Sequence, residues 1–136
     1  MNTIPPKNIL SNMKRTIKFR GKDVFTETWR YGDLVHNQKV TTTGLEPRTM
    51  VGGYEVIPET VGQFTGFFDM DNNEVYEDDL VESTKDKRGV HYCVVFLDGS
   101  FNLRRPNCKT YIPFMYQSDN HGRFLFLRVK GNIHAV

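Results

Sequence analysis

HYCVVFLDGSFNLR, residues His91 to Arg104, decides the class of fold. Two runs rich in β-branched and aromatic residues flank Asp98-Gly99, a pair that tolerates left-handed backbone and so suits the tight turn of a β-hairpin. Strands are therefore expected over His91 to Leu97 and Phe101 to Arg104. The same patterning extends outward in both directions. Upstream, Leu80 to Ser83 reads as a strand; downstream, Phe124 to Val129 and Ile133 to Val136 flank the turn residues Lys130-Gly131-Asn132. Arg105 to Asn120 holds Pro106 and Pro113, which argue against one long helix and leave room for a helical turn near Phe114 to Ser118.

Toward the N-terminus the period stays at two. In Arg15 to Arg20, Ile17 and Phe19 share one face, while Lys14, Lys18, Arg20 and Lys22 share the other. A turn near Gly21 to Asp23 and a variable stretch to Glu27 lead to a second strand, Thr28 to Val35, with Trp29 and Tyr31 on one face. Together they predict an N-terminal hairpin. His36 to Met50 carries Thr41-Thr42-Thr43-Gly44 and Pro47 and reads as a loop or a long edge hairpin. Pro58 separates two short strands, Tyr54 to Ile57 and Val61 to Phe64, and Asp69, Asp71, Asn72 and Asn73 mark a turn. No window carries an apolar stripe at helical spacing, so the fold class is mostly β with little helix, about eight short strands in a small barrel or sandwich element. Ile17, Phe19, Val81, Val94, Phe96 and Leu127 are expected among the buried residues.

At 136 residues the chain has the material for one domain, and 17 aromatics in a sequence that is 38% apolar can fill a core. That composition excludes a disordered tail or a coiled coil. No run approaches the roughly 18 apolar residues of a membrane span, and MNTIPPKNILSN at the start has neither a basic nor an apolar signal region. A soluble protein without a signal peptide is expected, with no membrane partner. Cys93 and Cys108, two cysteines in a chain that does not need staples, point to a reducing compartment.

The charge is strongly divided. Glu59 to Thr84 carries eight carboxylates and no Lys or Arg, whereas residues 1–58 sum to +4 and residues 85–136 to +6. Lys14, Lys18, Arg20 and Lys22 are the candidate nucleic-acid-binding residues, since cations projecting together from one strand can track phosphates. The competing account makes them the wet face of an edge strand, where lysines deter strand addition. Of the aromatics, Phe67, Phe68, Phe101, Tyr111, Phe114, Tyr116, Phe124 and Phe126 could include a base-stacking platform, although most are needed for the core.

No catalytic residues, cofactor or metal are expected. Asp69, Asp71 and Asn73 match the first, third and fifth positions of a calcium loop, but Glu74 and Leu80 stand where Gly and Glu are required, so a solvated turn is expected. His91, Cys93, Cys108 and His121 lack the paired short spacings of a zinc site; Cys93 reads as a core side chain and His91 as a surface one. There is no nucleophile elbow or phosphate-cradling glycine loop, and the contiguous Glu77-Asp78-Asp79 cannot converge as a dyad on a strand and read as a solvated turn.

MKRTIKFRGKD (Met13 to Asp23), WRYGDL (Trp29 to Leu34), IPETVGQFTGFFDMDNNEVYEDDLVE (Ile57 to Glu82) and VKGNIH (Val129 to His134) occur in an order that resembles the YopX family of phage and prophage proteins. The resemblance implies a mostly β fold with an SH3-like barrel element and an accessory role in bacteriophage or prophage biology, with no catalytic residues to carry over. It also sets the boundaries: residues 1–12 as a poorly ordered extension, 13–136 as a single domain. Asp78 stands where the family pattern has Gly, at a position where a positive φ would suit Asp less well. The expected function is a noncatalytic accessory protein of the bacterial host cytoplasm that binds a protein or nucleic acid. The alternatives are a self-assembling structural module, forming a homo-oligomer, and, behind both, an enzyme.

Overall fold

The computed structural model describes residues 15–86, 88–106, 110–119 and 121–134. The expectations for residues 1–12, Lys14 and Cys108 lie outside them. The N-terminal hairpin forms as β1 (Phe19–Lys22) and β2 (Trp29–Gly32). His36 to Met50 folds as a long hairpin, β3 (Leu34–Thr41) with β4 (Gly44–Val51), which β5 (Tyr54–Glu55) extends. Pro58 opens a 3-10 turn, Pro58–Thr60, where its fixed φ and missing N–H cost nothing. Then come β6 (Gly62–Phe68), β7 (Glu74–Tyr76), β8 (Asp79–Ser83), β9 (His91–Leu97), β10 (Ser100–Arg104) and β11 (Tyr111–Pro113). A second 3-10 turn, Phe114–Tyr116, and β12 (Leu127–Asn132) complete the described chain.

These strands make three antiparallel sheets, in the orders β2-β1-β6-β7, β3-β4-β5 and β11-β10-β9-β8-β12. The fold is mostly β, as the periodicity predicts. Among the described residues no sheet closes into a barrel, each ladder ending in two edge strands, so of the expected barrel or sandwich element the SH3-like detail is not confirmed. Nor is any helix among them long and apolar enough to cross a membrane.

The Asp98-Gly99 turn has φ of 50° and 82° at its two residues, the left-handed pair that a two-residue hairpin of this twist requires. It sets Val94 opposite Leu103 and Phe96 opposite Phe101. That register aims one face of the five-stranded sheet at a core of Val75, Val81, Val94, Leu103, Phe114, Phe124 and Leu127. Phe67 links the layers, its ring 5.0 Å from Phe114 and 5.8 Å from Phe124. Gly62 lets β6 pass the turn after β7, since a Cβ there would lie 2.7 Å from the Glu77 carbonyl oxygen.

Val81, Val94 and Leu127 are buried, as expected, and Phe19 is half-buried. Phe96 and Ile17 are corrections. Phe96 does point to the core side, against Phe101, but it sits beside the hairpin turn at the end of the sheet and is 52% exposed. Ile17 precedes β1 and is 58% exposed because the face of Lys18 and Arg20 is the one that turns inward. Phe124→Ala should therefore cost about 3–5 kcal/mol, through lost burial and a residual cavity, and Phe96→Ala about 1 kcal/mol or less. Urea denaturation of the two variants beside the parent checks this ordering, and equal losses would contradict it.

Candidate functional site

Arg20 is the largest departure from the expected cationic face. The residue is 6% exposed, and its Nη2 donates to Asp79 Oδ1 at 2.7 Å. Its guanidinium lies 4.5 Å from the ring centre of Trp29 and 4.9 Å from that of Tyr76. Asp79 Oδ2 in turn accepts the Tyr76 N–H at 2.7 Å, so this carboxylate is bonded on both oxygens. Burial pushes the Asp79 carboxyl up from its ordinary pKa, with Arg20 and the Tyr76 N–H pulling the other way. Lys18 pairs with Glu74 and lies over the Phe64 ring; Lys22 donates to the His134 carbonyl and lies over Trp29. The strand does carry its cations on one face, but that face meets the acidic segment of the same chain.

The acidic turns also differ from the solvated ones expected. Asp69 is fully buried: Oδ1 accepts the N–H groups of Asp71 and Asn73, and Oδ2 accepts those of Val129 and the Asn73 side chain. Burial opposes its ionisation, but these four donors outweigh burial and hold the carboxyl below its ordinary range. The carboxylate ties the turn to β12. Among Glu77, Asp78 and Asp79, Asp79 takes Arg20, Asp78 faces His134 Nε2 at 2.9 Å, and Glu77 accepts the Gln63 N–H. Asp78 adopts φ of 72°, so the position does use left-handed backbone. Cys93 is half-buried, and burial pushes its thiol up to about 11, which keeps it out of nucleophilic chemistry at neutral pH. Among the described residues no three His, Cys, Asp or Glu side chains group as metal ligands.

Clefts open at two places among the described residues. One, of about 490 Å³, is an aromatic notch between β6, β10 and the second 3-10 turn, walled by Phe67, Phe101, Pro113, Phe114 and Met115, with Arg15 and Ser100 also lining it. Phe114 anchors it from the core, and Met115, 74% exposed, stands in solvent. The other, of about 590 Å³, is lined by Phe68, Asn72, Asp119, His121 and Arg123. There Asp119 Oδ1 accepts the N–H groups of His121 and Arg123, which hold its carboxyl below the ordinary range and close the loop on itself.

The family model described as YopX protein matches residues 18–135. The chain belongs to the YopX family. No curated protein matches it. Among solved structures, the YopX chain is similar to the crystal structure of protein EF1440 from Enterococcus faecalis, with 18% identity, 89% of this chain and 95% of that one covered, and a TM-score of 0.53. At that identity the likeness concerns the fold alone.

Of the aromatics noted in the YopX sequence, Phe67, Phe101 and Phe114 come together at the notch, whereas Phe68 lines the other cleft and Phe124 is core. Arg15, Pro113 and Met115 were not singled out as functional. The signal for Pro113 and Met115 was an apolar cluster, Pro113 to Tyr116, in a segment that is not a regular strand throughout; nothing local marked Arg15. Removing Arg20 tests the buried network. Arg20→Gln strands a buried carboxylate and should cost about 3–5 kcal/mol. A buried acid with a raised folded-state pKa contributes stability below its unfolded pKa, and loses that stability as pH rises through the folded value. The variant's deficit should therefore be largest near neutrality and shrink as the pH falls and the stranded Asp79 carboxylate takes up a proton. Chemical denaturation at several pH values reads this, and a pH-independent deficit would contradict it.

Proposed function

We propose that this YopX-family chain is a noncatalytic binding module whose aromatic notch takes an apolar side chain from a protein partner. The observation that carries the proposal is the make-up of the notch. Its walls are aromatic or apolar, the polar groups are one guanidinium, hydroxyls and backbone, and the lining offers neither an acid–base pair nor an activated nucleophile. Such a cavity suits recognition better than catalysis. In line with what the family resemblance implies, the module serves as an accessory protein of a phage or prophage in the cytoplasm of the bacterial host.

A protein partner is favoured over nucleic acid because Lys18, Arg20 and Lys22 are engaged within the chain. To track phosphates, Arg20 would have to leave a desolvated carboxylate, and that cost exceeds the gain from one phosphate contact. Short peptides carrying a single Phe test the proposal, using the ε-methyl NMR signal of Met115 as the reporter. The signal should move on titration, and replacing the peptide's Phe by Ala should weaken binding at least about tenfold, the loss of one buried aromatic ring. A Met115 signal that ignores the peptides, together with salt-dependent binding of DNA or RNA weakened by Lys18→Gln, would overturn the proposal in favour of nucleic acid.

A further inference from the structure

Phe25 is 85% exposed, the most exposed large apolar side chain among the described residues. Its backbone is held firmly. Asp23, 4% exposed, accepts the N–H groups of Phe25 at 2.8 Å and Thr26 at 3.3 Å through Oδ1, and the Arg30 Nε–H at 3.0 Å through Oδ2. Its main chain closes the turn twice, since the Asp23 N–H donates to the Thr28 carbonyl and the Glu27 N–H to the Asp23 carbonyl, each at 2.9 Å. The Phe25 N–H leads the donors that hold the Asp23 carboxyl below its usual range, so the turn is braced across the neutral pH range. The Thr26 and Thr28 hydroxyls meet at 2.7 Å beneath the tip. This is a rigid turn presenting a ring to water, with Glu27 two residues on.

Exposing a Phe on a braced turn gains nothing for the monomer, whereas a pre-ordered aromatic anchor loses little entropy when it docks. The same chain carries an unfilled aromatic notch with Arg15 in its lining. On the proposal that this notch binds protein, we propose that its occupant is the Phe25 turn of a second copy of the chain. The ring enters the notch against its Phe67, Phe101 and Phe114 lining, and Glu27 approaches Arg15. Ring faces and edges match in kind, and the charges match in sign. A single knob-in-notch contact is head-to-tail and leaves the pair with one free knob and one free notch, so association continues beyond two chains or closes as a ring.

Complementary variants test this directly. The parent protein should grow in mass with concentration by light scattering or sedimentation. Phe25→Ser removes the knob and leaves the notch intact; Met115→Glu sets a charge that repels Glu27 in the notch and leaves the knob intact. Both sites are solvent-exposed, so both variants should fold. Each alone should have its self-association weakened at least tenfold, and an equimolar mixture should form a 1:1 complex that grows no further. A parent that stays monomeric over a wide concentration range at low salt overturns the proposal, as does self-association unaffected by either substitution. In those cases a Met115 signal that still moves with Phe-containing peptides keeps the notch as a binding site for a different protein, whereas a silent Met115 ends both proposals.

Discussion

A guanidinium held between two aromatic rings and one carboxylate connects most of this molecule. Arg20 comes from β1, Trp29 from β2, Tyr76 from β7 and Asp79 from the start of β8, so one buried cation touches both the hairpin sheet and the entry to the five-stranded sheet. The energetic logic is asymmetric. A buried ion pair adds little net stability over an apolar pair of the same shape, but each partner alone in that setting is very costly. The pair therefore fixes relative position more than it deepens the folded well. Arrangements that slip β1 by one residue would bury a charge without its partner.

The same asymmetry explains what was legible in the sequence. The hairpin at Asp98-Gly99 was readable because its turn needs a local backbone conformation that those residues supply. The strand periods were readable for a similar reason. Alternation, however, says only that odd and even positions differ, not which side faces water. At β1 the hydropathy rule assigned Arg20 to solvent and Ile17 to the core, and the structure inverts this because the acidic segment from Glu59 to Thr84 supplies partners distant in sequence. The −8 of that segment and the cations of β1 are one feature seen twice. Asp69 follows the same rule: four N–H donors offset the cost of burying its carboxylate.

The candidate site was less legible. Phe67, Phe101 and Phe114 are far apart in the chain, and nothing local marks them as walls of one notch. Their aromatic character fits core and cleft equally well, and only the open end of the five-stranded sheet beside Phe101 decides between them. Phe25 gave still less warning, since a lone Phe in a polar turn is indistinguishable in sequence from a residue that folds inward. Its meaning comes from Asp23, whose hydrogen bonds make the turn stiff and leave the ring outside.

The strand edges bear on the contact proposed between copies. A small sheet protein with free edges would ordinarily be at risk of adding strands from a second copy. Here the outer strand β11 ends in Pro113, which has no N–H to give, and β12 carries Lys130 at an irregular step in its register with β8. In the β3-β4-β5 sheet, Pro47 interrupts the donor row of β4 where β5 no longer covers it, and Lys39 on the β3 edge pairs with Glu55. Backbone pairing between copies is thus hindered at several edges by residues that cannot complete a ladder or would strand a charge. Apolar knobs and notches have no such obstacle, because a ring transferred from water into an aromatic cavity asks nothing of the backbone. On the contact proposed for Phe25, a fold that guards several of its edges would meet a second copy through side chains.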